Sequence, residues 1–241
     1  TINTALNDIS KLESIRASVS NLSIKAPVAI GYYTKMNSKL LNSVIETSKI
    51  SQSPRITKQL VAFGNFLYSK ERAGIERAIG ANTLVQDAYV GGNRIKFNNL
   101  IAAQDSFMNN FLLYATSSSS KFYHDKLQGE SINEVNRMRQ LLLNAKEIGG
   151  FNTDAQYWFD TITKKIQLLK KTENYIVEKL RVTNPNLKKQ VSIAVAASNL
   201  IHETQKERGA TAGFIGSNGK KFVIKLPNQR QLTDKKYANL L

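Results

Sequence analysis

Two arginines stand in closely matched surroundings. The stretch SKERAGIERAIGA (69–81) and the stretch QKERGATAGFIGS (205–217) agree at five of 13 positions: Lys, Glu, Arg, a later Ile and a later Gly. Each is followed at the same distance by another arginine. Arg94, in GNR, lies 22 residues after Arg72, and Arg230, in NQR, lies 22 after Arg208. Two equivalent helix–turn–helix units are expected to face each other. Ala194, Ser198, Ile201, Gln205, Arg208, Ala212 and Ile215 recur every three or four residues, one stripe of an α-helix. Val61, Asn65, Tyr68, Arg72, Ile75 and Ile79 do the same around Arg72. Both arginines therefore fall among core side chains. A guanidinium keeps its charge, so burial requires a partner. That partner is either a carboxylate from another helix or an external planar oxyanion gripped by two guanidinium forks. Gly209, Gly213 and Gly216 let helices approach or leave room for a small ligand.

Glu71, Glu76, Glu203 and Glu207 fall mostly off the arginine stripes, which favours the external anion. Other chemistry is scarce. Cysteine is absent, so disulfides, thiolate metal sites and thiol nucleophiles are excluded. His124 and His202 are far apart and lack carboxylates at ligand spacing, so no metal site is expected. Paired acid–base carboxylates, a nucleophile elbow and a phosphate loop are all missing, and no cofactor or enzymatic activity is expected. Trp158 and Tyr157 read as core or interface aromatics.

The elements that must hold these arginines are helical. The chain has 241 residues, 41% hydrophobic and 22% charged, with a net charge of +16. The charge is spread along the chain, without the basic, aromatic-interleaved stripe that nucleic-acid binding needs; a solvated basic surface is expected. No uncharged apolar run reaches the roughly 18 residues of a membrane helix, and no signal peptide opens the chain. Pro54 after Ser53 marks a helix start, with helical patterns from 54 to about 79 and from about 95 to 114. TSSSS (116–120) is a break, Ser131 with Glu134 reads as a capping box, GGF (149–151) is a turn, and a long amphipathic helix follows. Strand alternation is scarce. The expectation is all-α, with about eight helices in antiparallel bundles.

The chain ends interrupt helical patterns. If Thr1 is placed after Leu241, Leu240, Ile2, Leu6, Ile9, Leu12 and Ile15 continue one helix face, whereas VTNPN (182–186) reads as a joint. One domain over 1–241 is expected, running in the order 187–241 then 1–181. Two frayed termini are the alternative.

LIHETQKERGATAGFIGSNGKKF (200–222), LPNQRQLTD (226–234), FLYSKERAGIERA (66–78) and YWFDTITKKIQLLKKTENYI (157–176) together resemble the nitrate- and nitrite-sensing (NIT) domain of bacterial chemoreceptors and related sensors. The likeness covers nearly the whole chain in permuted order. It implies two stacked up-down four-helix bundles, placed outside the cytoplasmic membrane and joined to it by segments absent from this chain. A homodimer, no nucleic-acid partner and a small anion, nitrate or nitrite, are the implied associations. Arg208 and Arg72 match the arginines of the family's two Glu-Arg motifs, with Arg230, Arg94 and Arg77 as secondary candidates. The alternative is a helical adaptor bundle whose arginines are internally salt-bridged.

Overall fold

A computed structural model describes residues 2–46, 53–183 and 188–240. Among these are ten α-helices: α1 (Ile2–Ile9), α2 (Leu12–Ser20), α3 (Ala26–Glu46), α4 (Pro54–Gln86), α5 (Asn93–Tyr114), α6 (Ser117–Lys126), α7 (Glu130–Asn144), α8 (Ala155–Thr183), α9 (Lys188–Gly216) and α10 (Lys225–Ala238). The described residues contain no strand, only a single antiparallel bridge between Ala88 and Ile148. The all-α expectation holds.

Helix boundaries follow local chemistry. Pro54 opens α4 behind an extended Ser53, and α4 ends where Asp87 turns left-handed at φ 48°. Thr116 caps α6 by accepting from the Ser119 amide at 3.2 Å. The capping box at Ser131 does not form. Gly129, at φ 97°, turns the chain into α7 two residues earlier, and Glu134 instead receives Arg137 and Tyr157.

Two helical bundles lie against each other. In one, α9 packs on α10 and α3, with α1 on α3; in the other, α4 packs on α5 and α8, with α6 and α7 on α8. The bundles meet along α4 and α9, supported by α3 on α4 and α8 on α9. α4 and α9 run parallel: Gly74 faces Gln205 and Arg208, Gly209 faces Arg77, and Gly216 faces Asn82. Residues about 131 apart in sequence therefore oppose each other. With neighbours on every side, α9 from Ile201 to Gly213 is buried throughout except for the half-buried Lys206. α4 is nearly as enclosed, and its least buried stripe is the one holding Val61, Asn65, Tyr68, Arg72 and Ile75.

α10 and α2 lie side by side in opposite directions. Arg230 donates to the Ser20 hydroxyl at 2.9 Å and to the Arg16 carbonyl at 3.2 Å, while Arg16 reaches Asp234 at 2.7 Å. A single helix running from α10 into α1 would separate residues 230 and 16 by roughly 40 Å, so that expectation is corrected. The apolar spacing continues across the ends because both end segments face one core, which contains Ala5 and Ile9 and against which Tyr237 and Leu240 pack. Thr1, Leu241 and most of the expected joint at 182–186 lie outside the described residues.

Candidate functional site

The two bundles repeat one polar arrangement. Glu207 of α9 takes both forks of Arg16, from Nε at 2.8 Å and Nη2 at 2.9 Å. Glu76 of α4 takes both forks of Arg139, each at 2.7 Å. Burial opposes the charge of each arginine, yet the carboxylate beside it holds the guanidinium above its ordinary value. Burial likewise pushes Glu76 up, and Arg139 more than cancels this, so its carboxyl stays below the usual range. Such pairs are costly to break from one side, about 3–5 kcal/mol each.

The residue after each glutamate points into the α4–α9 contact. These are Arg208 and Arg77, both 0% exposed. Arg208 Nη1 donates to the Thr34 hydroxyl of α3 at 3.1 Å, and Arg77 Nη1 donates to the Thr163 hydroxyl of α8 at 2.8 Å. The resemblance between the bundles thus extends to the threonine that each arginine grips. It breaks at one point: Arg208 Nη1 also meets Glu71 at 2.5 Å, and among the described residues no carboxylate pairs with Arg77. Arg77 lies instead over the Phe159 ring, 4.8 Å from its centroid. On both arginines Nε and Nη2 are buried without a hydrogen-bond partner. These two atoms form the edge that binds an oxyanion in bidentate fashion.

Glycines make the approach possible. A β-carbon on Gly74 would stand 2.8 Å from Arg208 Nη2, and one on Gly209 would stand 3.1 Å from Arg77 Nε and 2.8 Å from the Phe159 ring. Gly213 and Gly216 similarly admit Phe222 and Asn82. Burial, and after it the Arg208 charge, pull Arg77 down to about 9, well below its ordinary value. A guanidinium yields its proton with great reluctance.

The sequence-predicted residues separate into three groups. Arg208 and Arg77 come together. Arg72 turns away from them and lies over the Tyr68 and Phe107 rings, 5.8 and 5.4 Å from their centroids. The pairing of Arg72 with Arg208 is therefore corrected. Five residues carry the chain about 140° around a helix, and it is the second Glu-Arg pair of α4, 76–77, that opposes 207–208. Arg94 and Arg230 serve helix ends: Arg94 donates to the carbonyls of Leu143 and Ala145 at 3.0 and 2.6 Å and meets Glu147, and Arg230 binds α2 as described. The four glutamates expected off the stripes are also buried, since neighbouring helices enclose α4 and α9 at these positions. Thr34, Thr163, Arg16 and Arg139 were not singled out from the sequence. The repeated Glu-Arg pair at 76–77 was the one signal pointing to their partners.

Trp158 is fully buried against Gly80, with Nε1 donating to the Arg77 carbonyl at 3.0 Å, while Tyr157 is half exposed. Among the described residues, no group of three His, Asp or Glu side chains could hold a metal, and no helix is long and apolar enough to cross a membrane.

The chain is similar to the nitrate regulatory protein of Klebsiella oxytoca, 23% identical over 167 residues, which cover 69% of this chain and 42% of that relative. No solved structure matches it. The family model described as nitrate and nitrite sensing (NIT) matches residues 1–181 and 199–241, regions that contain both opposed arginines and both glutamate–arginine clamps, and the chain belongs to that family.

Proposed function

We propose that this chain is a non-catalytic input module that binds nitrate or nitrite between Arg208 and Arg77. The observation that carries this reading is the pair of buried Nε/Nη2 edges, one on each arginine, that no group of the described residues satisfies. A planar anion with several equivalent oxygens suits two planar forks, and the threonines hold each fork by its remaining nitrogen. Binding would fix α4 against α9 and so favour one arrangement of the two bundles over others. An output attached to the module would read that shift. A receptor setting outside the cytoplasmic membrane and a homodimeric assembly belong to the same proposal, supported by the family likeness.

The Arg208–Glu71 ion pair favours a second reading, an internally salt-bridged adaptor bundle. Arg77 weighs against it, because among the described residues no carboxylate is in contact with its charge.

Calorimetric titration with nitrate and nitrite, against chloride at equal ionic strength, tests the choice. A ligand that binds only the folded chain stabilises it by about 2.7 kcal/mol at a hundredfold excess over Kd. Nitrate should bind and raise the melting temperature where chloride does not, and Arg208→Ala should remove the difference. Equal responses to nitrate and chloride would leave the adaptor reading in place.

A further inference from the structure

We propose that Glu71 fixes the charge of the ligand, restricting the site to singly charged anions. This inference rests on the anion-binding reading above. Glu71 is 1% exposed. One of its oxygens meets Arg208 Nη1 at 2.5 Å, and the other accepts from the Gln205 amide. It is the one carboxylate in contact with either opposed arginine among the described residues.

The neighbouring acids are already neutralised. Glu203 binds Lys206 at 2.9 Å and Gln229 at 2.7 Å. Glu207 is held by Arg16 and by the Tyr33 hydroxyl at 2.7 Å, and Asp160 by Lys225. Two guanidiniums and one carboxylate remain, with a formal charge of +1. A singly charged anion brings that group to zero. A doubly charged one leaves an uncompensated negative charge in a site without water contact, which is strongly unfavourable. Shape plays no part in this discrimination; the charge count decides it.

The experiment titrates the folded chain with nitrate, perchlorate and sulfate. Perchlorate and sulfate share a tetrahedral shape and differ by one charge. Glu71→Gln keeps the side-chain outline and raises the site to +2. The ratio of sulfate to perchlorate affinity should then rise about tenfold or more, the scale of one unit charge a few ångströms away in a protein interior. Thr163→Asp works in the opposite direction. It places a carboxylate where the hydroxyl now meets Arg77 Nη1 at 2.8 Å, brings the empty site to zero, and should weaken nitrate binding at least about tenfold. If Glu71→Gln does not fold, Thr163→Asp decides alone, and unchanged nitrate affinity in that folded variant overturns the inference. Nitrate binding by the wild-type chain with an unchanged sulfate-to-perchlorate ratio in Glu71→Gln overturns this inference and leaves the function standing. Failure of the wild-type chain to bind nitrate overturns both.

Discussion

The Nε atom of Arg77 rests over Gly209, so close that a single methyl group there would stand 3.1 Å from it. This contact joins the two bundles beside a buried guanidinium that no carboxylate of the described residues touches. It also ties the shape of the site to a residue without a side chain.

Gly209→Ala should therefore disturb stability and binding together. The added carbon also meets the Phe159 ring at 2.8 Å, and overpacking of this kind costs about 1–3 kcal/mol. Thermal denaturation should show a lower midpoint than wild type, and nitrate should no longer raise it. A variant that melts like wild type and keeps its nitrate response would mean that α4 and α9 separate freely at this level.

Arginine substitutions should sort by place. Arg72→Ala loses its aromatic stacking, worth about 1 kcal/mol, and Arg94→Ala loses its hold on the end of α7, worth about 1–2 kcal/mol. In both variants the nitrate-induced rise in melting temperature should survive. Arg77→Met should do the reverse. It removes a buried charge that lacks a counterion and leaves an apolar chain against Phe159, so the nitrate-free protein should melt higher while the nitrate response disappears. Loss of the response in Arg72→Ala, with retention in Arg77→Met, would move the site to the other face of α4.

Acid should begin to destabilise the fold before any carboxylate titrates. His202 is buried with an unbonded Nδ1. Burial, and then the charges of Lys70, Lys170 and Lys206, hold it well below its ordinary 6.5, with Glu173 opposing them. The unfolded chain takes up a proton there below about pH 6.5 and the folded chain does not. Stability should thus fall from that pH downward, by up to about 1.4 kcal/mol per unit. A second loss belongs to Glu173, which burial would raise but Lys70 and Lys170 pull down to about 2. Its contribution is full above the ordinary 4.5 and disappears toward pH 2. Chemical denaturation at successive pH values should show His202→Gln flattening the first limb and sparing the second. An unchanged slope between pH 6.5 and 5 in that variant would clear His202 of the effect.

The helices and the buried stripe of Arg208 were legible because apolar spacing records which face of a helix is covered. Arg77 was obscured by a stronger local match: KER at 70–72 repeats KER at 206–208 letter for letter. Which residues oppose each other depends on the register of two parallel helices, and that register is fixed by contacts between distant parts of the chain, Arg208 and Gln205 on Glu71 and the close approach of Gly74 to Arg208. Spacing along one helix carries no record of such contacts. The same distance effect hid Thr34 and Thr163. The glutamates misled for another reason. Polar residues ordinarily mark an outer face, but α4 and α9 are enclosed by neighbours, so their carboxylates could be placed only by knowing the partners. At the ends of the chain, two antiparallel helices and a continuous helix leave the same three-and-four spacing, and the bonds joining Arg230 to Ser20 and Arg16, and Arg16 to Asp234, tell them apart.

The complete enclosure of Arg77 and Arg208 bears on timing. An ion lodged between them can leave only when the bundles part or when the side chains above it swing aside. Its residence would then be set by how often the fold opens, and by the strength of the grip only in part. A detector built this way keeps a short memory: it continues to report an ion after the surroundings have lost it, for as long as one opening takes to arrive.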